Sequence, residues 1–235
     1  MPHRSALGDP GRRRLLAALA AGVFSLPAGR LSAQGGGLPA PLPPGRSIHE
    51  LRGTVLVNGR AASRQTAVVG GDVIETGEAS RVIFAVGKDA FLLRASGRLE
   101  TRGEGVTVRV LRLVTGKLLS VFGSESRRVE TPVASIGIRG TGLYVESDPA
   151  FTYVCTCYGT ADIAAIADPL SGETVVSEHH DAPRYVLSSG AAGTRIRLAP
   201  VFNHTDQELA LIEALVGRTP PFEVNGGGRG NRYGG

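Results

Sequence analysis

The sequence contains no tryptophan and only two cysteines among its 235 residues. Without tryptophan it lacks the strongest stacking surface for a sugar ring. No apolar run is long enough for a permanent transmembrane helix, which needs about 20 residues. The longest, Leu15 to Leu26, is broken by Pro27. Recognisable catalytic signatures are absent too: there is no Gly-x-Ser-x-Gly elbow, no His-Glu-x-x-His pair and no phosphate-cradling glycine loop opening a helix. These absences argue against an enzyme and point towards a binding function.

The leading segment has the layout of an export signal. Arg12-Arg13-Arg14 precede the apolar run, and small residues continue to Leu31-Ser32-Ala33. The arginines also resemble a twin-arginine signal. Removal of residues 1–33 leaves 21 of the 26 basic and 20 of the 21 acidic residues, so the net charge falls from +5 to +1. The basic excess therefore belongs to the leader, and no nucleic-acid footprint remains. The expected product is a periplasmic or secreted protein that starts near Gln34 and retains no transmembrane helix.

Residues 34–47, with Gly35-Gly36-Gly37 and four prolines, read as a linker. From 48 to 199 short runs of β-branched residues alternate with glycine-bearing turns about every ten residues, which predicts an all-β domain, a short β-solenoid or a β-sandwich. Val55-Leu56-Val57 followed by Asn58-Gly59 predicts a tight hairpin. Gly116 and Gly159 are expected to close strands. Val106–Val110 alternates cleanly and then slips phase by one residue, which predicts a β-bulge. Within 200–222, Thr205-Asp206-Gln207-Glu208 matches a capping box, and Leu209, Ile212, Leu215 and Val216 share one face. This predicts one C-terminal helix capping an open end of the β domain. Residues 223–235 form a glycine-rich tail expected to be disordered.

Two segments resemble the FecR domain family. One is Gly71-Asp72-Val73-Ile74-Glu75-Thr76-Gly77 with Ser80; the other is Thr131-Pro132-Val133-Ala134-Ser135-Ile136-Gly137-Ile138-Arg139-Gly140-Thr141 with Leu143 and Val145. The resemblance implies a periplasmic recognition or signalling module with an envelope protein as partner. It departs from a full anti-sigma regulator, because no cytoplasmic helical domain accompanies it. Asp72 is expected to bond neighbouring amides, and Gly77 to take positive φ. Arg139, Gly140 and Thr141 are candidate binding residues. The physical reading of Arg139 is structural, a guanidinium bridging strands through carbonyls or a carboxylate such as Asp72 or Glu75.

Cys155 and Cys157 form the other constellation. On an extended strand they project from one face, about 6.6 Å apart along the chain. They could grip a soft cation, Zn(II) or Cu(I), with His179 or His180 completing the set. Adjacent histidines face opposite ways on a strand, so both join only if 178–181 is a turn. A disulfide and a pair of packed thiols are equally open readings. Asn203-His204-Thr205 matches a glycosylation acceptor in form only, given the bacterial-type leader. Ligand, partner and oligomeric state are not encoded in any motif.

Overall fold

The computed structural model describes residues 37–222; the expected leader, residues 34–36 of the linker and the tail from 223 lie outside the described residues. Among the described residues the domain is all-β with one helix. The elements are β1 (Ile48–Arg52), β2 (Val55–Val57), β3 (Arg60–Ala61), β4 (Val73–Thr76), β5 (Arg81–Val86), β6 (Asp89–Leu93), β7 (Arg98–Glu104), β8 (Thr107–Val121), β9 (Ser126–Glu130), β10 (Ala134–Ser147), β11 (Phe151–Ala165), β12 (Asp168–Ser177), β13 (Arg184–Leu187), β14 (Ile196–Leu198) and α1 (Asp206–Leu215). All 14 strands belong to one sheet, ordered β14-β13-β11-β10-β9-β8-β7-β4-β2-β3, with β12 on β11, and with β6, β5 and β1 branching from β8. No helix among the described residues is long and apolar enough to cross a membrane.

Strand alternation explains why both sheet faces carry apolar residues. Phe84, Phe91, Leu118, Leu143, Val145 and Val154 point into the main core. Their neighbours Ile83, Leu92, Leu119, Tyr144, Tyr153, Cys155 and Cys157 point to the opposite face and form a second core with Leu209, Ile212 and Leu215 of α1. With a period of two along a strand, a continuous apolar run buries both faces only if something covers the outer one. Here α1 supplies the cover, packing on β5, β6 and β8. It covers a sheet face and not an open end, because the apolar surface left by the strands lies there. The linker joins in: Leu42 donates its amide to the Leu215 carbonyl at 2.9 Å, which ties residue 42 to the helix end.

The Asn58-Gly59 hairpin forms between β2 and β3, with φ of 52° and 74° as a two-residue turn of this hand requires. The bulge lies where the phase slips: Arg102 pairs with Val110 and Gly103 with Val108, leaving Arg109 as the extra residue. Gly116 and Gly159 do not end strands. Both take positive φ inside long strands, 95° and 90°, so the chain bends and continues. Gly77 is absent from the positive-φ positions; the left-handed turn residue there is Ala79, with φ 50°. Gly77 is instead crowded, since a Cβ would lie 3.3 Å from the Thr54 side chain.

β10 changes partner at the segment that carries the family resemblance. Residues 135–139 pair with β9, and residues 142–147 pair with β8. Gly140 bends the strand with φ 57°, and a Cβ on Gly142 would come within 2.3 Å of the Tyr158 ring. Thr141 is buried and its hydroxyl lies 2.9 Å from the Arg139 carbonyl and 3.0 Å from that of Thr160. Gly140 and Thr141 thus shape the backbone. Asp72 does hold its turn, accepting from the Val69 amide at 2.8 Å and from Asn58 Nδ2 at 2.7 Å. Arg139 is not the expected strand bridge. Its guanidinium is exposed and makes no hydrogen bond with a described residue: β10 pairs with β8, β9 and β11, whereas β4, which carries Glu75, pairs with β2 and β7.

Candidate metal centre beneath the C-terminal helix

Cys155 and Cys157 occupy successive positions on the α1-facing side of β11, both fully buried and both free thiols. The turn after β12 brings His180 over them. Asp181 Oδ2 accepts from the amides of Glu178 at 2.7 Å and His179 at 3.1 Å, and His180 takes φ 57° while its amide donates to the Cys157 carbonyl at 2.9 Å. Positive φ on a non-glycine residue is costly and is held only by surrounding structure. Its effect here is to turn the imidazole inward.

A fourth group arrives with the helix. His204, the residue before the Thr205 N-cap, is buried, and its ring stacks on Tyr144 at 4.4 Å with planes 18° apart. The ligating atoms of Cys155, Cys157, His180 and His204 all lie within 4.8 Å of one another. Cys155 Sγ is 3.4 Å from His180 Nδ1, and His180 Nδ1 is 3.0 Å from His204 Nε2.

The far nitrogens fix the orientation of both rings. His180 Nε2 lies 3.0 Å from Asp206 Oδ1, and His204 Nδ1 lies 2.8 Å from the Phe202 carbonyl. A carbonyl or carboxylate oxygen only accepts, so these nitrogens carry the hydrogens. In neutral rings, therefore, two lone pairs face each other across 3.0 Å beside two sulfurs. A cation between them removes the repulsion, whether a proton or a metal ion. Hydrogen bonding from Cys157 and then from His180 and His204 holds the Cys155 thiol well below its usual range despite burial. Burial, reinforced by Cys155, pushes Cys157 well up. Burial opposes the charge on His180, but Cys155 and Asp206 outweigh it and raise its pKa. The pocket is thus built to hold positive charge at this point.

Of the residues singled out from sequence, the structure brings Cys155, Cys157 and His180 together. His179 is left outside that set. It is exposed, stacks on Phe222 at 4.1 Å, and reaches Asp206 with Nε2 at 3.0 and 3.1 Å. The 178–181 segment is a turn, as joint participation required, yet His179 turns towards the helix carboxylate. Sequence reasoning missed His204. Its signal was its place directly before a capping box, since a helix that docks on a sheet delivers its first residues there.

The helix start is fastened independently of any ion. The capping box is complete, with the Glu208 amide donating to Thr205 Oγ1 at 3.3 Å and the Thr205 amide to Glu208 Oε2 at 3.0 Å. Arg94 adds a bond to Glu208 Oε1 at 2.7 Å and one to the Asn203 carbonyl at 3.0 Å. At the other end Glu213 is buried between the Tyr158 hydroxyl and Arg218 Nε, the latter at 2.7 Å.

No protein-family model and no curated protein matches the chain. Among solved structures, two crystal structures of a candidate anti-sigma factor from Parabacteroides distasonis ATCC 8503, at 1.65 and 2.50 Å resolution, are similar in part. Each match covers 54% of this chain and 58% of that one, at 12% identity and a TM-score of 0.45.

Proposed function

We propose that the protein is an exported, non-catalytic binding module that holds one thiophilic metal ion, Zn(II) or Cu(I), through Cys155, Cys157, His180 and His204. The observation that carries this reading is the convergence of two sulfurs and two oriented imidazole nitrogens within 4.8 Å. Two thiolates and two imidazoles make a donor set suited to tetrahedral Zn(II), and Cu(I) also favours thiolate. Four protein ligands leave no open position for substrate, and α1 covers the site, which favours a structural or sensing ion over a catalytic one. The anchoring of both far nitrogens supports the same reading, because metal-bound histidines characteristically use their second nitrogen this way.

The ion would join β11, the 178–181 turn and the start of α1. The resemblance of residues 71–80 and 131–145 to FecR domains supports a recognition role towards an envelope protein, with the metal fixing the C-terminal cap in its docked form. Elemental analysis of untagged protein tests the metal assignment. One zinc or copper per chain, lost in Cys155→Ser/Cys157→Ser, is the expected result. Protein that neither carries nor takes up either ion on titration would overturn it.

A further inference from the structure

A second constellation lies on the outer face of β8–β11, apart from the cysteine centre. In the β9–β10–β11 register, Arg128 stands beside Gly137 and Asp162, and the next outward row is Ser126, Arg139 and Thr160. Arg128 and Arg139 are therefore diagonal neighbours, about 7–8 Å apart at the backbone and within reach of each other's long side chains. Arg109, the bulged residue of β8, joins them, and the three arginines line a cleft of about 570 Å³.

These arginines differ from their neighbours in lacking acidic partners. Arg98 and Arg112 pair with Glu100, Arg102 with Glu130, and buried Arg127 with Asp89 and Glu125. Arg109, Arg128 and Arg139 are exposed, and none makes an ion pair or side-chain hydrogen bond with a described residue. The single carboxylate in the cleft, Asp162, accepts from Thr174 Oγ1 at 2.6 Å. Gly137 leaves open the space between Arg128 and Asp162 that a side chain would fill, with nothing closer than 3.7 Å to a Cβ placed there. Like charges set side by side repel, and a bound anion is the simplest source of compensation. Guanidinium forks suit the oxygens of a phosphate group, and the Ser126 and Thr160 hydroxyls add donors at the rim.

We infer that this cleft binds a ligand bearing phosphate groups with at least two negative charges. The near-neutral charge of residues 34–235 and Asp162 at the end of the row disfavour a long polynucleotide track. The phosphate could belong to a soluble molecule or to a lipid headgroup. Because all three arginines are surface residues, their removal leaves the core and the cysteine centre intact.

Calorimetric titration of the full chain with pyrophosphate, with citrate as the carboxylate comparison, provides the test. Saturable binding of pyrophosphate at one site is expected, weakened roughly tenfold or more in each of Arg128→Ala and Arg139→Ala. Arg197→Ala, at an exposed arginine on β14, should leave it unchanged. No saturable binding, equal weakening by Arg197→Ala, or tighter binding of citrate would overturn the inference. Flotation with phosphatidylcholine vesicles, with and without phosphatidic acid, separates the sources. Arginine-dependent capture by the acidic vesicles identifies a headgroup, whereas pyrophosphate binding without capture identifies a soluble ligand. Metal content measured on the same variants should not change, so failure here and failure of the cysteine centre are distinguishable.

Discussion

His180 Nε2 lies 3.0 Å from Asp206 Oδ1, so the first residue of α1 orients an imidazole that faces the two cysteines of β11. Asp206 touches no ion in this arrangement and acts only through the ring. Asp206→Ala should lower metal affinity by about 10–100-fold while leaving the four ligands in place. Competition with a chromophoric chelator measures the change, and an unaltered affinity would mean that the ring is held by packing alone.

Two histidines at the edge of this arrangement, His204 and His179, should separate cleanly. His204→Ala removes a ligand and should abolish stoichiometric binding of zinc or copper. His179→Ala should retain it, since His179 lies outside the four-residue set. Dialysis against a weak chelator followed by elemental analysis distinguishes the two.

Thr156 sits between the cysteines but points to the opposite face, where its buried hydroxyl has no hydrogen-bond partner among the described residues. Thr156→Val removes that desolvated group at nearly constant shape. Stability should rise by about 1 kcal/mol, read as a higher denaturant midpoint at unchanged slope.

Arg127 and Asp89 form a buried pair at 3.0 Å, with side chains 7% and 2% exposed, and Asp89 also accepts from the Gly123 amide at 2.9 Å. Asp89→Ala strands the guanidinium and an amide together. A loss of about 3–5 kcal/mol is expected in chemical denaturation.

Burial raises the Glu213 carboxyl above its ordinary 4.5, although Tyr158 and Arg218 offset part of that. The folded protein then holds this proton more tightly than the unfolded chain. Its contribution is fully present below pH 4.5 and is lost as pH rises through the higher folded value. Denaturation profiles of Glu213→Gln should lack that decline when compared with the parent across the same window.

Local features of this fold could be read from sequence because local physics fixes them. Asn58-Gly59 tolerates two successive positive φ values, Thr205 and Glu208 are three residues apart, and Cys155 and Cys157 share a strand face by simple alternation. His204 could not be placed, because it meets the cysteines only when α1 docks across the sheet. Arg139 was misread for a related reason. Its exposure depends on which face of β10 turns outward at the Gly140 bend, and its partners on which strands flank β10, which are β8, β9 and β11 and not the β4 that carries Glu75. Gly116 and Gly159 look like strand ends in sequence, yet a left-handed residue can bend a strand as readily as end it.

The main cover of the outer apolar face of β5, β6, β8, β10 and β11 is α1, which follows every described strand. During synthesis, then, Tyr144, Tyr153 and both thiols emerge from the ribosome well before Leu209, Ile212 and Leu215. For that interval the nascent sheet presents a bare adhesive surface, of the kind that holding chaperones recognise and that drives self-association. Completion of the domain waits on α1, and a chain cut off before it would display a sticky intermediate in place of a shortened but sound protein.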